Sequence, residues 1–282
     1  MINVQLYSLS TFIYLMCTVL YLVYILFKIK KVGQVARAIT LLAFLTHLAA
    51  FILRWIESYQ LGIGHLPIRG PYECLTFSAG TIIFFYLVIE HKFKTEMLGA
   101  FILPLVFVLM VYATLSAQIE KQIFPMPEIL QGNYINYHLA SCFIGYAAFT
   151  VSFVASILFF LKRENEGHKS KHANTILPSS TVLDDISYKM IAIGFVMFSI
   201  LIVTGMFRTK IIWGSYWEWD SVQTWSLIAW LVYAVILHGR FSWKCSSTIT
   251  AVLSIIGFAL AIISFLIGAG FIFSSGHYPI TE

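Results

Sequence analysis

The sequence predicts an all-α fold: a polytopic membrane bundle of eight transmembrane helices with both termini outside. Three observations lead there. Hydrophobic residues make up 59% of the chain and charged residues only 11%, with a mean hydropathy of +0.84, too little charge to keep a soluble core of 282 residues dispersed. The apolar residues fall into runs of about 20, the length that crosses a hydrocarbon layer of roughly 30 Å. The positive charges are distributed unevenly between alternate connections, as membrane topology requires.

The runs lie at roughly 6–27, 38–56, 72–90, 97–116, 134–161, 186–207, 222–240 and 249–273. The first has no small-residue cleavage site behind it and reads as a signal anchor. The second carries His47 near its middle, in Thr46-His47-Leu48. The third and fourth form a pair around Lys92 and Lys94. The fifth begins close to His138, and the polar stretch 162–185 that follows it reads as a linker. The sixth ends at Arg208 and Lys210, before Trp213-Gly214-Ser215-Tyr216-Trp217-Glu218-Trp219-Asp220. The seventh ends in Leu237-His238-Gly239-Arg240, and the eighth precedes a tail containing His277.

One set of connections holds Lys28, Lys30, Lys31, Arg37, Lys92, Lys94, Lys162, Arg163, Lys169, Lys171, Lys189, Arg240 and Lys244; the other holds Arg54, Arg69, Lys121, Arg208 and Lys210. The richer set is assigned to the cytoplasm, which puts the tryptophan-rich loop and both ends outside. The whole chain, 1–282, reads as one integral membrane domain. Its net charge of +5 is spent on topology and implies no nucleic acid. Four cysteines stand singly, without CxxC or CxxCH, against thiol-disulfide chemistry or covalent haem attachment to this chain. General-base, nucleophile and phosphate-loop arrangements are not found, so no enzymatic step is expected.

Histidines inside lipid-embedded helices need partners or ligands. His47 and His238 lie within spans; His138 and His277 stand at outer helix ends, on the face of the tryptophan loop. A single such histidine serves equally well as interhelical glue. Imidazole pairs beside an aromatic surface suit haem, whose iron takes two axial nitrogens and whose porphyrin faces need apolar contact. Zinc would want three or four converging ligands, which the outer face lacks. Arginine is the natural partner of haem propionates, with Arg54, Arg69 and Arg208 as candidates, although ordinary snorkelling at a helix end is the simpler explanation for any one of them. Three tryptophans within seven residues exceed what an interfacial belt needs. Asp220 is placed to cap the seventh helix through the backbone near Gln223, with Gln223 reaching back, which aims Trp217 and Trp219.

This segment resembles the WGxxWxWD signature of the haem-handling membrane proteins of cytochrome c assembly, the CcsA/ResC, CcmC and HemX group. The resemblance extends along most of the chain: His47 with Arg54-Trp55, Gly64, Pro67 and Pro71-Tyr72-Glu73-Cys74-Leu75-Thr76-Phe77; Tyr137-His138 leading to Gly145-Tyr146-Ala147-Ala148-Phe149; Leu237-His238-Gly239-Arg240; and Gly268 through His277. It implies non-covalent haem b at one or two positions: an outer haem held by His138 and His277 beneath Trp213, Trp217 and Trp219, and an inner haem held by His47 and His238. It further implies haem handling across a bacterial inner membrane, with a second cytochrome c assembly membrane protein and apocytochrome c as partners. A HemX-type regulator working with a haem-biosynthesis protein is the alternative, and a homodimer is compatible with either. The family's WDPKET continuation is here Asp220-Ser221-Val222-Gln223-Thr224, without the proline. His47 lies roughly 15 Å from the start of its span while His238 lies at the end of its own, so one iron between them requires a tilt or shift. Outside this family, a di-haem electron-transfer protein or a cofactor-free transporter with histidines lining a path would carry the same histidines.

Overall fold

The computed structural model describes residues 2–125, 133–167 and 177–268, the side chains of 133, 165–167 and 268 excepted. Eight α-helices run through them: α1 (Ile2–Phe27), α2 (Lys30–Gln60), α3 (Pro71–Phe93), α4 (Gly99–Leu115), α5 (Asn133–Gly167), α6 (Ser180–Trp213), α7 (Ser221–Ser242) and α8 (Ser247–Gly268), with one 3₁₀ turn at Glu96–Leu98 before α4. Each is long and apolar enough to cross a membrane, α4 counted with that turn, and no strand occurs among the described residues. Two helices run well past the expected spans. The extra turns of α2 carry Lys30, Lys31 and Arg37, and those of α6 carry Arg208 and Lys210. Long basic side chains keep their heads in water while the backbone stays hydrogen-bonded, so a helix continues where its apolar run stops.

The helix ends follow from local chemistry. Pro71 opens α3, where no intrahelical N–H is needed. The Glu73 carboxylate accepts from the backbone N–H groups of Arg69 (3.1 Å) and Gly70 (3.4 Å). Ser179 caps α6 by accepting from Val182 N–H. Gly214 ends α6 at φ 80°, a left-handed position that a side chain resists.

Helix α5 is the centre: 72% of its most apolar stretch is buried, against 28% for α6 and for α7. One side of α5, with Ala147, Val151, Ala155 and Leu158, joins a core built mainly by α1 to α4, to which Leu183, Ile186 and Met190 of α6 and Ala251 of α8 also belong. The other side, with Tyr146 and Phe149, joins Ile191, Phe198, Ala229, Tyr233 and Ala261 of α6 to α8. Phe149 stacks on Tyr233 at 3.6 Å between centroids, 4° from parallel. Gly194 of α6 lets that ring in, since a methyl group there would collide with Phe149. Helix α1 presents Tyr7, Tyr14 and Tyr21, fully buried at a seven-residue period.

Candidate functional site

His138 lies in the second turn of α5 and crosses to α6. Its Nδ1 is 3.1 Å from the Leu201 carbonyl oxygen and 3.0 Å from Thr204 Oγ1. A carbonyl only accepts, so the ring proton sits on Nδ1 and Nε2 keeps its lone pair. Metal-bound histidines are held in the same way, with the far nitrogen donating to a carbonyl that fixes ring orientation and raises basicity. Gly205 makes the approach possible: a Cβ there would stand 3.3 Å from His138 Cε1. Arg208, one turn beyond Thr204, is close enough for its charge to act on the ring. Trp213 lies nine residues past Thr204 on the same helix, about 13 Å along its axis.

The tryptophan loop is held in shape by its own polar groups. The Asp220 carboxylate accepts from Gln223 N–H at 2.9 Å and caps α7 as expected. The return leg of the expected capping box differs, because Gln223 Oε1 accepts from Glu218 N–H at 3.2 Å instead of from Asp220. Gln223 Nε2 donates to Thr209 Oγ1 of α6 at 2.6 Å, tying the start of α7 to α6. Ser215 Oγ donates to the Trp217 carbonyl at 2.9 Å and folds the loop on itself. Trp219 sits at φ 54°, a strained position for a residue with a side chain. The loop therefore holds Trp219 outward, 71% exposed, edge to face with Trp217 at 5.4 Å. Trp213 and Tyr216 are also exposed. The indole N–H of Trp217 is buried without a hydrogen-bond partner, a state that normally costs about 1–3 kcal/mol and points to a missing acceptor.

These features fit a flat ligand carrying a metal and acidic groups: an oriented imidazole, a basic side chain one turn past Thr204, exposed aromatic rings at the end of α6 and in the loop after it, and an unsatisfied donor. His277, the expected second outer ligand, lies outside the described residues. Among the described residues no three or more His, Cys, Asp or Glu side chains gather as a metal cluster.

The inner pair is not brought together. His47 is 3% exposed and belongs to the α1–α3 half, with Nδ1 3.4 Å from Tyr14 Oη and its ring edge-on to Tyr7 at 5.1 Å. Its Nε2 faces Gly80, where a Cβ would stand 2.9 Å away, so the ring packs closely on α3. His238 is exposed on α7, which packs against α6 and α8, and its ring meets Trp243 at 5.0 Å. The two histidines therefore occupy different halves of the bundle.

Arg54 is also corrected from an open propionate partner to a buried clamp. It is 1% exposed, with Nε donating to Glu73 Oε1 at 2.8 Å, Nη1 to the Lys121 carbonyl at 2.9 Å and Nη2 to the Gln122 carbonyl at 3.2 Å. Sequence reasoning did not single out Glu73 as its partner, although Pro71 at the first helical position with Glu73 two residues on is an N-terminal signature. Leu201, Thr204 and Gly205 carry no sequence signal toward His138, because two of the three contacts are to backbone or empty space.

Comparison with known proteins bears on this arrangement. Residues 69–270, which include α3 to α8 and the tryptophan loop, match the cytochrome c assembly protein family. A CcsA cytochrome c biogenesis protein of Guillardia theta is 29% identical over 89% of this chain and 87% of its own length. The CcsA of Chlamydomonas reinhardtii is 34% identical over 73% of this chain and 58% of its own. Among solved structures, the cytochrome c heme lyase CcmF superposes over 95% of this chain with a TM-score of 0.67 at 16% identity, a likeness of fold. This chain spans about half, 49%, of that lyase chain. The match over residues 69–270 places the chain in the cytochrome c assembly protein family.

Proposed function

We propose that this membrane protein binds haem b non-covalently at its outer end and positions it for cytochrome c maturation. The observation that carries the proposal is the Leu201 carbonyl on His138 Nδ1, which leaves Nε2 as an oriented, basic nitrogen. His138 would supply one axial position and His277, on the sequence pattern alone, the other. Trp213, Trp217 and Trp219 would cover a porphyrin face, and Arg208 would pair with a propionate. Asp220 acts indirectly, by fixing the loop that aims the indoles. Family membership supports the role in cytochrome c maturation.

Haem brings the iron and the vinyl groups that a cytochrome c acquires; the protein supplies orientation, an apolar cover and control of the axial ligands. In this reading covalent attachment is completed with a second assembly protein that presents apocytochrome c. In this reading the tryptophan loop faces the outer side of a bacterial inner membrane, an orientation supported by the distribution of Lys and Arg, thirteen against five. The His47–His238 pair is not part of the proposed site.

The test is an oxidised and dithionite-reduced absorption spectrum with pyridine haemochrome quantification, on protein purified from haem-competent cells. Stoichiometric low-spin b-type haem in the wild type, lost in the His138→Ala/His277→Ala double variant, is expected. Full haem content in the double variant rejects the ligand assignment, and a colourless wild type that takes up no added haemin rejects the function.

A further inference from the structure

At the lysine-rich end of the bundle, a groove of about 360 Å³ opens between α2 and α3, lined by Gln34, Arg37, Ala38, Leu41, Leu87 and His91. It lies in the half of the molecule away from His138 and the tryptophan loop, and nothing in the proposed haem site uses it. One wall is apolar, and Leu41 on it is 49% exposed toward the surrounding lipid. The other end holds donors. Arg37 Nη2 is 3.3 Å from His91 Nδ1. A guanidinium only donates, so Nδ1 accepts and the His91 proton sits on Nε2, making a second donor without any need for a charged ring.

Arg37 pairs with Glu90 at ion-pair range without a hydrogen bond between them, which leaves its N–H groups to other acceptors. Glu90 behind it is fully buried, and its nearer oxygen is 3.9 Å from Arg37 Nε, too far for a hydrogen bond. The Arg37 side chain remains 40% exposed while being oriented by His91. Lys28, Lys30, Lys31, Lys92 and Lys94 stand at the same helix ends, against the acids Glu90 and Glu96. A fixed arginine fork beside a histidine donor, at headgroup depth, with an apolar trough running toward the hydrocarbon, is complementary to a singly charged phosphodiester bearing acyl chains.

We infer that the α2–α3 groove binds an anionic phospholipid, with Arg37 and His91 on its phosphate and Ala38, Leu41 and Leu87 along its glycerol and upper acyl chain. A soluble phosphate would use the donors and leave the apolar trough empty; a zwitterionic lipid would bring an ammonium into a field of lysines.

Native mass spectrometry of the full chain, released from detergent after titration with phosphatidylglycerol or with phosphatidylcholine, tests this. Phosphatidylglycerol should be retained about ten-fold more tightly, because both lipids offer the phosphate but only phosphatidylcholine sets an ammonium beside Arg37 and the lysines. Arg37→Gln should erase that preference. Because it also removes the cation next to buried Glu90, Ala38→Trp, which fills the groove from an exposed position, should erase it independently. Lys92→Gln, outside the groove, should leave it within about two-fold. Equal retention of the two lipids, a preference that survives both Arg37→Gln and Ala38→Trp, or equal loss in Lys92→Gln would overturn the inference, as would displacement of the lipid by millimolar inorganic phosphate.

Discussion

Replacing Arg54 by Met should destabilise the protein severely without touching the haem site. The guanidinium makes three hydrogen bonds in a setting where it is 1% exposed and Glu73 is 2% exposed. Removing it leaves the Glu73 carboxylate buried with backbone N–H partners but no cation, and strands the carbonyls of Lys121 and Gln122. Breaking one side of a buried ion pair costs about 3–5 kcal/mol. At roughly 2–4 °C per kcal/mol for a chain of this size, Tm in detergent should fall by about 6–20 °C. The partner change supplies the control. Arg54→Met combined with Glu73→Gln removes the uncompensated charge and should recover a large part of the loss, because a neutral amide still accepts from Arg69 and Gly70 N–H. Thermal unfolding followed by circular dichroism, beside haem content per folded molecule, reads both quantities. If Arg54→Met kept the wild-type Tm but lost haem, the clamp argument would be wrong and Arg54 would be a ligand-binding residue after all.

Three further outcomes follow from the geometry. Asp220→Ala should cost about 0.5–2 kcal/mol through loss of the α7 cap and reduce haem retention by loosening the tryptophan loop, whereas Asp220→Asn, which still caps, should stay close to wild type in the same melt and haem titration. Gly205→Ala should shift the His138 ring by a few tenths of an ångström, since its Cβ would stand 3.3 Å from Cε1. Gly205→Leu should push the ring off Leu201 and lower haem affinity at least about ten-fold; an unchanged affinity in Gly205→Leu would show that His138 is not held where the site needs it. Gly80→Ala should cost about 1–3 kcal/mol through overpacking against His47, with haem stoichiometry unchanged; loss of haem in that variant would return His47 to the ligand set.

The bundle was readable in the sequence because lipid leaves one local solution: apolar runs of the right length must satisfy their own backbone, and all eight do. The cap at Asp220 was readable for a similar reason, since an Asp three residues before an amide side chain at a helix start has few other roles. What escaped depends on which helix faces which. Arg54 looked like an interfacial cation until α3 placed Glu73 against it. His47 and His238 share a residue type and a plausible family role, yet nothing in a one-dimensional pattern says that α2 packs on α1 and α3 while α7 packs on α6 and α8. The partner that orients His138 is a main-chain carbonyl, and every residue has one. Only the crossing of α5 and α6, permitted by Gly205, selects Leu201 for the task.

The central claim is that His138 Nε2 is an axial ligand, and imidazole complementation tests it most directly. Purified His138→Ala should show diminished low-spin haem in the reduced spectrum, and added imidazole, entering the space beside Gly205 and Leu201, should restore the low-spin bands. A His138→Ala protein whose haem content and low-spin spectrum match wild type without imidazole would contradict the account.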